Sequence, residues 1–343
     1  MTDGLHDIAR EVLEGEEAWV VGGAVRDEML GRPVVDLDIA CREPERAARS
    51  FAGRAGGGVF PLSVQHGGWR VALDGGQTVD FTPLQGGSIE SDLATRDFTI
   101  NTIAVPLAGG EPVDPYDGRG DIERGVLRAV SPSVFDDDPL RLLRAARLED
   151  ELGFRLDSEA VRLVREQASL AARPAGERIL EELLRLSPSG FERLAELGLL
   201  EPLGGVLDPR VRAFDSPWFR LAAVFGANLR RLPISNELRR FVYTLLRAEP
   251  PPDGTPRAIH RFRRVTEPWS LEALAFTGKE DLTDAVQEAR GRDPAEPLLR
   301  GDELGLPPGP EVGRLLELVA EERAAGTIST REEALELVRG SLG

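Results

Sequence analysis

Only one cysteine, Cys41, occurs in the 343-residue chain. An intrachain disulfide is therefore excluded, which suits a reducing compartment, and Cys41 reads as a small buried filler. Lysine is as scarce: Lys279 is the sole example, and every other basic residue is arginine, the better side chain for bidentate binding of phosphate. The three histidines, His6, His66 and His260, are too scattered to suggest a His-Asp pair or a histidine metal cluster. No apolar run reaches membrane-spanning length, and the N-terminus "MTDGLHDIAREVLEGEEAW" is too polar for a signal peptide. The expectation is a cytoplasmic protein with no membrane partner. No internal repeat of solenoid type is present.

Acidic residues dominate what remains. The net charge of −17 opposes a nucleic-acid partner on average, because phosphate binding needs basic surface. Arginines gathered on one face could still provide such a surface. Along the first 130 residues, strand-like and helix-like runs alternate. "EAWVVGGAV" reads as a buried strand entering a glycine turn, "RDEMLG" as a short helix and "VVDLDIAC" as a second strand. "EPERAARSFAGRA" reads as a helix closed by the glycines at 56–58. "GVFPLSVQHGGWRVALDGGQTVDFTPL" reads as antiparallel strands joined at "HGG" and "DGG" turns. The fold class expected is α/β or α+β, with a small mixed sheet. Beyond residue 130, apolar residues recur at helical spacing in "LRLLRAARL", "SEAVRLVREQASL", "ERILEELLRL" and "GFERLAELGLL". "DDDP" resembles a helix start with proline in its first turn. "RAEPPPDGTP" reads as a linker or exposed loop, and the last segment as two or three short helices.

The stretch "VVGGAVRDEMLGRPVVDLDIAC" carries the chemistry. Asp36 and Asp38 stand two apart on a strand, so both point to one face. Their mutual repulsion calls for a cation between them, and hard oxygen ligands suit Mg²⁺. A bare "DLD" is usually solvated; its context changes the reading. Gly22 and Gly23 form a strand-to-helix turn whose backbone N–H groups can hold phosphate oxygens, and Arg26 can add a charged contact. Together they suggest a nucleoside triphosphate with its metal ions. "DLATRDFTINTIAV" adds Arg96 and Asn101. "DDPLRLLRAAR" places Arg141, Arg144 and Arg147 at three-residue spacing on one helix.

Taken in order with "DPYDGRGDIERGVLRAV" and "ERILEELLRL", these motifs resemble the class II tRNA nucleotidyltransferase and bacterial poly(A) polymerase family, continuously over about residues 18–190. The tail from "LLRGDELGLPPGP" onward resembles that of tRNA-type members, and 200–290 is only weakly similar. The resemblance implies a polymerase-β-like nucleotidyltransferase head over 1–130, a helical neck for base recognition over 131–200, and a helical body and tail that binds tRNA over 201–343. It implies Asp36 and Asp38 as metal-binding carboxylates for two Mg²⁺ ions, with Asp80 as a third catalytic carboxylate. Gly22, Gly23, Arg26, Arg96 and Asn101 would line the triphosphate site. Asp138 and Arg141 would read the base edge, with Arg144 and Arg147 at neighbouring nucleotide-binding positions.

Physically, Asp138 can accept from the amino group shared by cytosine and adenine, and Arg141 can donate to ring acceptors. The reaction implied is template-independent addition of CMP, and in some members AMP, from CTP and ATP to the tRNA 3′ end. Two departures stand out. Thr95 replaces the first of two usual arginines, and the segment from Asp80 to Asp92 is short. Members lacking the flexible loop at that place add only CC and leave the A to a separate enzyme. Full CCA addition remains open if another loop compensates. A poly(A) polymerase and a non-catalytic RNA-binding member are the alternatives. The arginines from 230 to 264, above all Arg261, Arg263 and Arg264, are the expected tRNA contacts.

Overall fold

The computed structural model of the chain describes residues 2–63 and 67–342; His66, the first residue of the expected "HGG" turn, lies outside them. The described chain divides into two compact units, residues 1–203 and 204–343.

The first unit opens with α1 (Thr2–Val12), β1 (Ala18–Val21), α2 (Gly23–Met29), β2 (Asp36–Cys41), α3 (Pro44–Ala55), β3 (Gly58–Ser63), β4 (Gly68–Ala72), β5 (Thr78–Pro83), α4 (Ile89–Leu93) and β6 (Ala104–Pro106). The six strands form one mixed sheet in the order β3-β4-β5-β2-β1-β6, with β2 and β5 parallel. Alternation along the strands assigns the two faces. Leu37 and Ile39 of β2 point with Phe81 of β5 towards α3, whose Phe51 ring packs 5.6 Å from that of Phe81. The other face carries Trp19, Val21, Ala40 and Ala104, covered by Ile89 and Leu93 of α4. Asp36 and Asp38 share this second face, beyond the end of that apolar cluster. The "DGG" turn closes a hairpin: the Leu73 N–H donates to the Gln77 carbonyl, and Gly75 and Gly76 take φ of 84° and 81°. Its register pairs Ala72 with Thr78 and Arg70 with Asp80.

The unit continues through α5 (Gly118–Arg124), β7 (Val126–Leu127), α6 (Val134–Asp137), α7 (Leu140–Leu152), β8 (Arg155–Leu156), α8 (Ser158–Glu166), α9 (Gly176–Leu184), α10 (Pro188–Glu196) and α11 (Leu200–Leu203). "DDDP" does stand at a helix start, with one difference in detail: Pro139 is the N-cap of α7 rather than in its first turn, Asp136 and Asp137 end α6, and Asp138 is extended at φ −145° and ψ 98°. A proline disfavours helical geometry in the residue before it, so the chain breaks at Asp138.

The second unit is helical: α12 (Pro217–Phe225), α13 (Asn236–Arg247), α14 (Pro256–Thr266), α15 (Ser270–Thr277), α16 (Thr283–Gly291), α17 (Pro310–Ala324) and α18 (Arg331–Leu342). Ser216, Ser235 and Thr255 cap α12, α13 and α14 by accepting from a backbone N–H in the first turn. Ile259 and Phe262 pack with Ala273, Leu274 and Val286, while Leu299, Leu315 and Val319 pack with Ala334 and Val338. No helix among the described residues is long and apolar enough to cross a membrane.

Candidate active site

Three carboxylates meet at the open end of the second sheet face. Asp38 of β2 is in register with Asp80 of β5, and Asp36 precedes it on the same face. Burial raises the Asp38 pKa to about 6; Arg96 pulls it down while Asp80 and Asp36 push it up. Asp36 accepts from the Thr78 hydroxyl at 2.8 Å. Asp80 stands beside the pair, but its two oxygens are forked by Arg70 at 2.7 and 2.6 Å. Among the described residues no group of three His, Cys, Asp or Glu side chains is arranged to hold a metal ion. The pair Asp36 and Asp38 nevertheless suits a divalent cation. It offers hard oxygens on one face, and a bound cation would offset the burial and the neighbouring carboxylates that raise the Asp38 pKa.

The glycine turn approaches these carboxylates. Gly22 has φ 72°, and a Cβ there would lie 2.9 Å from Arg96 Nη1 and 3.4 Å from an Asp38 oxygen. Glycine is thus required both by conformation and by the space Arg96 fills. Arg96 is held by Asp92, which accepts its Nη2 at 2.8 Å and also accepts the Gln85 N–H at 3.2 Å. One buried carboxylate therefore pins the short link 84–88 and aims Arg96.

Arg26 and Asn101 are buried beneath the turn. Arg26 forks Asp27 and donates through Nη1 to the Asn101 side-chain oxygen at 2.9 Å; the Asn101 amide donates to Asp97 at 2.8 Å. Asp97 also accepts from its neighbour's backbone N–H and from Arg144. Burial alone would raise the Asp97 pKa, yet Arg144 and these donors hold it well below the usual carboxylate range; the same pairing raises that of Arg144. A continuous chain of bonds thus runs from the glycine turn to α7.

Asp138, freed by the break before Pro139, accepts the Leu140 N–H at 3.2 Å and is paired with Arg178 of α9 at 2.8 Å. Arg141 donates to the Thr95 carbonyl at 2.6 Å, so the residue that departs from the family pattern takes part through its backbone. Arg147 stands apart from the others: it is 4% exposed and bonded to Glu182 and Glu151. The geometry explains this. Three residues turn a helix by about 300°, so each arginine falls about 60° behind the last and the third points to α9. In the second unit, Arg261 is forked by Glu321, Arg263 by Asp293, and Arg264 pairs with Glu317. These three are neutralised by helix-to-helix ion pairs or by the loop after α16.

The sequence reading did not assign Arg70, Asp92, Asp97, Arg178 or Glu182. Arg70 was within reach, because the "DGG" turn sets a register that faces it with Asp80. Asp92 was within reach too, since it pairs with Arg96 one helical turn away; Asp97, Arg178 and Glu182 bond across 35 to 47 residues, which no local pattern encodes.

Residues 18–128 match the Poly A polymerase head domain. The chain is 32% identical to the CC-adding tRNA nucleotidyltransferase of Geobacter sulfurreducens, over 93% of this chain and 91% of that protein. It is also 32% identical to the A-adding tRNA nucleotidyltransferase of Deinococcus radiodurans, over 94% and 95%. Its fold matches a solved structure of the Thermotoga maritima CCA-adding enzyme complexed with tRNA, at a TM-score of 0.77, 22% identity, and coverage of 98% of this chain and 95% of that one.

Proposed function

Because the chain belongs to the tRNA nucleotidyltransferase family, we propose that it is an enzyme adding CMP residues from CTP, without a template, to the 3′ end of tRNA, and that it stops at CC. The observation that carries the stop is the link between β5 and α4. Residues 84–88 make one tight turn, with Gly86 and Gly87 at φ 67° and 82°, held by Asp92 through the Gln85 N–H. A segment this short and this tethered supports a base site that is not rearranged for a second nucleotide. A specific observation favours a second reading: the A-adding relative is as similar as the CC-adding one. Full CCA addition and poly(A) synthesis are the remaining alternatives.

In the reaction, the terminal 3′-hydroxyl oxygen bonds the α-phosphorus of CTP, the α–β bridging bond breaks, pyrophosphate leaves with the electron pair, and the hydroxyl proton is released. Asp36 and Asp38 would hold Mg²⁺, which when bound activates the hydroxyl and neutralises the leaving group. Arg96 is set to contact phosphate oxygens beside the Gly22-Gly23 turn. Arg26 and Asn101 brace that turn. Asp138 accepts from the cytosine amino group and Arg141 donates to its ring acceptors, and uracil is disfavoured because it offers a carbonyl where Asp138 needs a donor. Arg144 positions α7 against Asp97. The buried Cys41 and the tRNA substrate fit a cytoplasmic setting, where a separate A-adding enzyme would complete the end.

The test uses two labelled tRNAs, one lacking CCA and one ending in CC. Addition of two C residues to the first, with no A added to the second, supports CC-only addition. Efficient transfer of one A to tRNA-CC overturns it. A long A-tail would indicate the polymerase.

A further inference from the structure

Arg70 was absent from the expected site, yet it is the cation nearest its third carboxylate. Arg70, Asp80 and Asp38 lie side by side on β4, β5 and β2, in register across the sheet. Arg70 donates from Nε and Nη2 to the two separate oxygens of Asp80, a full fork that engages both carboxylate oxygens. Among the described residues, buried Asp80 has Arg70 as its one charged donor, whereas Asp36 accepts from the Thr78 hydroxyl. The field of Arg70 extends to Asp36 and Asp38 as well.

We propose that Arg70 is a tethered cation that withholds Asp80 from the metal, so that Asp36 and Asp38 bind it alone and Arg70 sets how tightly. Arg70 is thus a positioning residue acting through Asp80. This rests on the reading of Asp36 and Asp38 as the metal-binding pair. The physical basis is competition for one carboxylate. A divalent cation that recruits Asp80 must compete with a bidentate, half-buried ion pair for its charge and geometry, and a buried carboxylate stripped of its partner is strongly destabilised until another cation arrives. Removing Arg70 therefore creates a third oxygen-donor group beside Asp38 with no other ion-pair partner among the described residues. A residue with a merely structural role would loosen the metal site when lost; loss of this one tightens it.

The experiment measures Mn²⁺ binding to the full chain without nucleotide, from the free-ion electron paramagnetic resonance signal. The proteins compared are wild type, Arg70→Met, Asp80→Asn and the double variant. Arg70→Met is expected to bind Mn²⁺ about tenfold more tightly. Asp80→Asn alone should stay within about twofold of wild type, and the double variant should lose the gain. Should Arg70→Met fold poorly, Arg70→Gln keeps one hydrogen bond to Asp80 and should show a smaller gain in the same direction. Unchanged or weaker binding by both Arg70 variants overturns the proposal, as does weakening of wild-type binding by Asp80→Asn. An Asp38→Asn control separates the two readings. If it leaves Mn²⁺ affinity unchanged, the metal-pair assignment itself has failed; if it abolishes binding while the Arg70 variants do not tighten it, only the role of Arg70 has.

Discussion

Asp38 and Asp97 are carboxylates of the same unit whose surroundings drive them in opposite directions. Asp38 is raised to about 6 by burial beside Asp80 and Asp36, with Arg96 and Arg70 only partly offsetting this. A group raised above its unfolded value contributes most below that value and loses the contribution as pH rises through its folded pKa. Ionised Asp38 therefore strains the metal-free protein at neutral pH. Asp38→Asn should stabilise it by about 2–3 kcal/mol at pH 7.5, with the gain vanishing near pH 4, where both side chains are neutral; urea midpoints at the two pH values check this. The same variant should abolish incorporation while tRNA is still retained on a filter. Asp97 is depressed by Arg144 and by donors from Asn101 and the backbone, although burial opposes them. Its contribution is complete above the unfolded pKa and is lost as pH falls through the folded one. Asp97→Asn should thus cost about 2–4 kcal/mol at pH 7.5 by the same measurement, since it leaves Arg144 without its main partner.

At the scale of elements, the break at Asp138-Pro139 separates α6 from α7 and exposes a carboxylate at the start of the helix that also carries Arg141. Asp138→Ala or Arg141→Ala should relax base choice by about 1–3 kcal/mol, read as the ratio of CTP to UTP incorporation. An unchanged ratio would remove the base-reading assignment. The paired arginines of α14 alter where RNA contact is expected. Their substitution by glutamate would disrupt their ion pairs as well as weaken any RNA contact. Arg239 and Arg240 on α13 are exposed and have no carboxylate partner among the described residues, and Arg247 lies over the exposed Tyr243 ring at 4.6 Å. Replacing Arg239 and Arg240 with Glu should weaken tRNA binding and lower the slope of log affinity against log salt by about 2. A larger effect from Arg261 and Arg264 in the same titration would return the contact to α14.

At the scale of the whole molecule, each unit has its own core: the sheet with its flanking helices in residues 1–203, and the packed helices in 204–343. A fragment of residues 1–203 should fold and bind CTP, with tRNA affinity reduced at least about tenfold; calorimetry with CTP and a filter assay with tRNA check the two halves of that statement. Loss of CTP binding by a folded fragment would mean that the nucleotide site needs the second unit.

The local pattern of the chain determined the alternating head and the helices after it, the glycine turn, the same-face pair Asp36 and Asp38, and the helix that holds Arg141. Those features depend on periodicity, glycine chemistry and short spacings, which a linear text displays directly. The tertiary structure alone decided what each charge faces. Asp97 meets Arg144 and Asp138 meets Arg178 across separations of 47 and 40 residues, and Arg147 and Arg261 pair with Glu182 and Glu321 across 35 and 60. An arginine looks the same in sequence whether it is free or neutralised. Only packing brings the carboxylate that distinguishes them, because side-chain pairing is set by which helices and strands come to lie together.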